Sequence, residues 1–229
     1  MPGGKRALWR SGEVAGADYL AFERSLWDLG YQRVAGTDEA GRGPLAGPVV
    51  AACVLLPRGC PVSAFRDSKQ LSAPRRREIA VELAELPGVM MGVGVVSAEE
   101  IDRVNILRAS LQAMALAVRD LNESNGYGGD EGLDFLLVDG RFKVPITLPQ
   151  QTMVKGDCRS ATVAAASIIA KVRRDAIMAD YHRQYPQYNF IQHQGYGTAE
   201  HLRLLRLHGP SPIHRRSFRP VRLSLESTS

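Results

Sequence analysis

The chain has 229 residues, 45% of them apolar and 23% charged, with a formal net charge of +5. That is enough for one good core with a small appendage, and no apolar run approaches the roughly 20 residues of a membrane span. Residues 1–16 lack the apolar stretch of an export signal, and Cys53, Cys60 and Cys158 include no Cys-x-x-Cys pair, so free thiols in a reducing cytoplasm and no membrane partner are expected.

In chain order, a short amphipathic helix is expected over 17–29, stopped by Gly30. Strands follow at 33–38 and 48–56. Ser72 is placed to cap a helix over 72–86, with Pro74 in its first turn and Pro87-Gly88 behind it. Residues 89–96 read as a third strand whose glycines imply close packing. Ser97 and Glu100 have capping-box spacing. The next helix carries Leu107, Leu111, Met114, Val118 and Leu121 on one face. A loop over 126–132 leads to strands at 133–139 and about 147–154. After Asp157 a long helix places Ala161, Ala165, Ile168, Val172, Ala176 and Ala179 on one face, small enough to lie close to a sheet, and Pro186 ends it. A short helix over 198–208 stops at Gly209-Pro210. This order predicts an α/β core over 31–185, preceded by an N-terminal segment with a short helix (1–30) and followed by a small helical, basic extension (186–229).

Four acids stand where chemistry is expected. Asp38 and Glu39 end the first strand, just before a glycine-bracketed arginine, Gly41-Arg42-Gly43. Asp139 ends the apolar run 135–138, and Asp157 follows the strand-like segment 153–156. In open α/β sheets, ligands bind at the C-terminal ends of strands. Taken singly, Asp139 reads as an Asp-Gly turn and Asp157 as charge complementing a helix N-terminus. Taken together, converging acids repel one another unless a cation joins them. Mg²⁺ suits a few carboxylates, waters and phosphate oxygens, and two such ions can activate a water and stabilise a leaving oxygen. Strand alternation sets one limit, because Asp38 and Glu39 cannot both face the site if the strand continues through Glu39.

No acid lies between Glu200 and Glu226, a stretch containing Arg203, Arg206, Arg215, Arg216, Arg219 and Arg222. It reads either as a phosphate-backbone footprint or as a solvated basic tail. All five histidines lie beyond residue 180, and no cysteine is near them to complete a zinc site. No Gly-x-Ser-x-Gly elbow or P-loop is present.

These segments resemble the type 2 ribonucleases H, the bacterial ribonuclease HII family. The resemblance is carried by Asp38–Pro44, Asp67-Ser68-Lys69-Gln70-Leu71, Val138-Asp139-Gly140, Lys155-Gly156-Asp157, Ala165–Asp175, Gly195-Tyr196-Gly197-Thr198 and His214-Arg215-Arg216-Ser217-Phe218, in that order over about 33–220. It implies a five-stranded mixed sheet whose first three strands are antiparallel, flanked by helices. It implies catalytic metal ligands at Asp38, Glu39, Asp139 and Asp157, with Mg²⁺ or Mn²⁺ in a two-metal site. It implies that Gly41, Arg42 and Gly43 read the ribose 2′-hydroxyl, that Tyr196 senses the RNA–DNA junction, and that Lys69 and Lys171 contact phosphate. The expected substrates are RNA–DNA hybrids and duplex DNA with embedded ribonucleotides, cut by a monomer.

Three features bear on these expectations. Cys158 replaces the family's usual serine. Gly-Arg-Gly in place of Gly-Lys-Gly argues against the type 3 relatives. Residues 223–229 carry no sliding-clamp peptide. The rival readings are another nuclease or resolvase on the same fold, separated by ribonucleotide dependence, and a non-catalytic nucleic-acid binding module, disfavoured by the presence of all four acids.

Overall fold

A computed structural model describes residues 18–60, 62, 71–127 and 132–226. Lys69 and the rest of 67–70 lie outside the described residues. The sheet consists of β1 (Val34–Ala40), β2 (Val49–Leu55), β3 (Met90–Val96), β4 (Phe135–Asp139) and β5 (Gln150–Met153), in the order β3-β2-β1-β4-β5. β1, β2 and β3 pair antiparallel, while β4 pairs parallel with both β1 and β5. This is the expected mixed α/β sheet. β2 is an unbroken apolar run because it is buried on both faces.

The helices are α1 (Ala21–Asp28), α2 (Ala73–Glu85), α3 (Ala98–Val104), α4 (Ile106–Ser124), α5 (Ala161–Gln184), α6 (Phe190–His193), α7 (Ala199–His208) and α8 (Arg219–Glu226). α4 covers one face of the sheet through Ala109, Ala113, Ala117 and Leu121. α5, with α2, covers the other through Ala161, Ala164, Ala165 and Ile168. Small residues let these helices come close. A Cβ on Gly94 would lie 2.0 Å from the Ala113 carbonyl, and one on Gly36 would lie 2.4 Å from the Val163 nitrogen. Among the described residues no helix is long and apolar enough to cross a membrane.

The local chemistry differs from expectation in three places. The helix after Ser97 is two helices, broken at Asn105, whose φ is 73°. The Asn105 side chain accepts from the Arg108 amide at 3.1 Å and so starts α4 afresh. Only half of the expected capping box forms: Ser97 accepts from the Glu100 amide, but the Glu100 carboxylate turns to Arg103. Asp157 does not open the long helix. It lies on a separate 3₁₀ turn, Gly156–Cys158, and Ser160 caps α5.

α1 is stitched to α5 by a buried acid. Glu23 accepts from the Ser160 hydroxyl at 2.6 Å, the Thr162 amide at 3.0 Å and the Thr162 hydroxyl at 2.8 Å. It therefore serves donors at the start of α5 that have no partner within the helix. Burial raises its pKa, and these hydrogen bonds oppose the rise.

Candidate active site

Position two on a strand repeats the same face. Gly36 faces α5, so Asp38 does too. Leu137 packs with Val163 of α5, so Asp139 shares that face on the neighbouring parallel strand. Glu39 leaves the strand on the other face, as strand alternation requires, because β1 does continue through Ala40. The three acids nonetheless feel one another at the strand ends. Burial raises the Asp38 pKa well above the usual carboxylate range, and the charges of Glu39 and Asp139 add to the rise. Burial also raises Glu39, partly offset by Arg42 and reinforced by Asp139.

Asp157 joins through its neighbour. The Gly156 amide donates to Asp139 Oδ1 at 2.6 Å, which holds the 3₁₀ turn against the end of β4, and Asp157 is buried there. Ser167 of α5 hydrogen-bonds Asp38 and opposes the rise in its pKa. Ser167 was visible in the sequence only as part of a motif, since no spacing rule points from residue 167 to residue 38.

This donor set fits a hard divalent cation. Glu39 Oε2 is buried with no hydrogen-bond partner among the described residues, while Oε1 takes Arg42 at 3.0 Å. Among the described residues no three His, Cys, Asp or Glu side chains close tightly enough to enclose an ion by themselves. An open carboxylate site of this kind leaves coordination positions to water and substrate phosphate, as Mg²⁺ prefers.

The Gly41-Arg42-Gly43 turn and Tyr196 face each other. The nearest atom to a Cβ on Gly43 would be Tyr196 Cε1, at 3.6 Å. The Leu45 amide donates to the Gly195 carbonyl at 2.8 Å and ties the two loops together. Tyr196 is 45% exposed and so is no core residue. Lys171 is paired with Asp175 at 2.6 Å.

The basic stretch divides. Arg203, Arg206, Arg216, Arg219 and Arg222 are exposed. Arg215 is fully buried and bonded to backbone carbonyls, so it can touch no phosphate; its place in a footprint or a solvated tail is corrected.

Behind Tyr196 lies a histidine network that the sequence did not reveal. His193 donates from Nε2 to the Tyr188 carbonyl and accepts at Nδ1 from the Gly195 amide. His201 donates from Nδ1 to the Tyr196 carbonyl, leaving Nε2 to accept from His214 Nε2 at 3.0 Å. His214 Nδ1 accepts from the Ser211 amide. A neutral imidazole has one donor and one acceptor, so the network is satisfied only when all three rings are neutral. Burial lowers all three, His201 to about 4 and His214 to about 3. A depressed folded pKa gives stability that is present above the unfolded value, about 6.5, and is lost as pH falls toward the folded value. The melting temperature is therefore expected to fall between pH 7 and pH 5, and His214→Gln to flatten that fall. Parallel thermal melts check this, and equal pH profiles would refute it.

Residues 35–221 match the Ribonuclease HII family. The chain is 52% identical to Ribonuclease HII of Syntrophus aciditrophicus (strain SB) over 198 residues, covering 86% of this chain and 89% of that one. In structure it is similar to ribonuclease H2 from Pyrococcus horikoshii OT3, with a TM-score of 0.68 at 24% identity over 85% of this chain and 98% of that one. It is also similar to Bst-RNase HIII in complex with Mn²⁺, with a TM-score of 0.66 at 20% identity over 96% of this chain and 79% of that one. These last two likenesses concern the fold. A match over most of the length, at half identity, means that the chain belongs to the ribonuclease HII family and is an endoribonuclease, a phosphodiester hydrolase.

Proposed function

We propose that this enzyme hydrolyses the RNA strand of RNA–DNA hybrids and cuts on the 5′ side of single ribonucleotides embedded in duplex DNA. The observation that carries the reading is the meeting of mutually repelling acids with an open turn of bare amides and an exposed tyrosine. Asp38, Glu39, Asp139 and Asp157 would hold the divalent cation, Mg²⁺ or Mn²⁺, in a two-metal site; the fold neighbour bound to Mn²⁺ supports such a cation. Bound there, it would supply activation of a water and neutralisation of charge on the phosphodiester. Ser167 and the Gly156 amide keep Asp38 and Asp139 in place.

The amides of the Gly41-Arg42-Gly43 turn meet the 2′-hydroxyl, the group that distinguishes RNA from DNA. Tyr196 lies against the next sugar, Lys69 and Lys171 contact phosphate, and the exposed arginines of 186–229 hold the duplex backbone. The enzyme acts in the cytoplasm as a monomer. Because water attacks rather than the 2′-hydroxyl, the products carry a 3′-hydroxyl and a 5′-phosphate on the ribonucleotide. The test is a DNA duplex with one ribonucleotide, incubated with and without EDTA. A cyclic phosphate end, or equal cutting of an all-DNA duplex, would overturn the reading.

Two results follow from the way the substrate is held. Tyr196→Ala is expected to slow cutting at a single ribonucleotide about tenfold more than cutting of a long hybrid, the scale of one aromatic stacking interaction of about 1–3 kcal/mol. Equal losses on both substrates would remove Tyr196 from junction sensing. Affinity for any duplex is expected to fall steeply with salt, and reversing the charge of both Arg203 and Arg206 to flatten the logarithmic slope by roughly two, one for each phosphate no longer neutralised. An unchanged slope would leave these arginines as solvated surface.

A further inference from the structure

Two of the largest fully buried side chains are arginines, and both point at the same loop. Arg215 donates from Nε to the Gly47 carbonyl at 3.0 Å, from Nη1 to Arg42 at 2.9 Å, and from Nη2 to Gly41 at 2.6 Å and Pro48 at 3.1 Å. Arg174, on α5, donates from Nε to the Pro48 carbonyl at 3.1 Å, from Nη2 to Ala46 at 3.2 Å, and from Nη1 to Gln194 at 3.1 Å. Neither forms an ion pair among the described residues. Burying a cation is costly unless it is well solvated by the protein, and here backbone carbonyls solvate both guanidinium groups. Burial and the neighbouring Arg174 charge push Arg215 down, to about 9, so it remains a cation at neutral pH.

The carbonyls that solvate Arg215 decide where the amides go. In a trans peptide the C=O and the following N–H point in opposite directions. Drawing the Gly41 and Arg42 carbonyls inward therefore turns the Arg42 and Gly43 amides outward. Neither amide has a hydrogen-bond partner among the described residues. Gly41 must be glycine for the same reason: its φ is +97°, and a Cβ would lie 2.1 Å from Arg174 Nε. Through Gln194, Arg174 also grips the loop that presents Tyr196.

We infer that Arg174 and Arg215 are positioning residues for the ribonucleotide: from beneath, they aim the Arg42 and Gly43 amides outward and lock that turn to the Tyr196 loop. The inference rests on the proposed reading that this turn meets the 2′-hydroxyl. A lysine has no planar fork and cannot reach four carbonyls in different directions, so the charge alone does not suffice.

The experiment measures equilibrium affinity in EDTA, where no strand is cut, for a DNA duplex with one ribonucleotide and for the same duplex in all-DNA form. The wild type is expected to prefer the ribonucleotide duplex by about tenfold, the scale of one hydrogen bond. Arg215→Lys is expected to bring that ratio close to one, while all-DNA affinity, set by the exposed arginines, moves less than about twofold. A purely structural role would weaken both duplexes alike, and either that result or a retained ratio overturns the inference. No preference in the wild type would instead overturn the reading of the turn. Should Arg215→Lys fail to fold, hydrogen exchange on the wild type decides. The Arg42 and Gly43 amides should exchange freely in the unbound protein and be protected by the ribonucleotide duplex only. Protection before binding, or equal protection by both duplexes, overturns the inference.

Discussion

Asp139→Asn is expected to lower cleavage about a thousandfold or more while leaving the fold intact, the scale of removing one preorganised group from an electrostatic site. Asparagine keeps the oxygen that accepts from the Gly156 amide, so the 3₁₀ turn should hold its place. What disappears is one of the charges that raise Asp38 and Glu39. A carboxyl whose folded pKa is raised destabilises the protein as pH climbs through that value, and contributes no such penalty below the unfolded value near 4. Without metal, the variant should therefore melt at or above the wild-type temperature at pH 8, with the difference gone by pH 4. Melting curves in EDTA and rates in saturating Mg²⁺ check the two halves separately. Near wild-type cutting would remove Asp139 from the site, and a large loss of stability would show that the acid holds the fold rather than the chemistry.

Gly36→Ala is expected to cost about 2–3 kcal/mol, the upper part of the range for overpacking, and to lower the melting temperature by roughly 4–12 °C. The added Cβ would meet Val163 N at 2.4 Å and Thr162 C at 2.5 Å. Both are backbone atoms, so relief requires α5 to move away from β1. Ser167 moves with α5 and Asp38 stays with β1, so activity per folded molecule should fall as well. A variant with wild-type melting and wild-type rate would show that the helix can retreat freely.

Much of the scaffold could be read from local pattern. β2 is apolar throughout because both faces are covered, and the alanine face of α5 and the glycines of β3 announce close helix–sheet contact. Asp139 was legible because it terminates β4, and Asp38 because it stands near the end of β1, just before the Gly41-Arg42-Gly43 turn. The break at Asn105 was not, because the helical periodicity continues across it and only a positive φ interrupts the chain. Arg215 was illegible for a different reason. It lies beside Arg216 in a run of arginines, most of them exposed, and only carbonyls 167 to 174 residues away make burial favourable. Glu23 and the three histidines share that property: their partners are chosen by the assembled fold, and no local spacing encodes them.

The span of these contacts has a consequence for how the enzyme comes into being. Glu23 waits for Thr162, 139 residues later, and Gly41 waits for Arg215, 174 residues later. During synthesis the strand that bears Asp38 emerges early, yet Arg174 can brace the neighbouring loop only about 130 residues later and Arg215 only after a further 41. Contacts so distant in sequence also form slowly, because the intervening chain must be ordered before they are made. A nascent or prematurely terminated chain would therefore carry most of the acids without a shaped ribonucleotide turn. Ribonucleotide selectivity would therefore come after the acids in the order of assembly, once the segment bearing Arg215 docks.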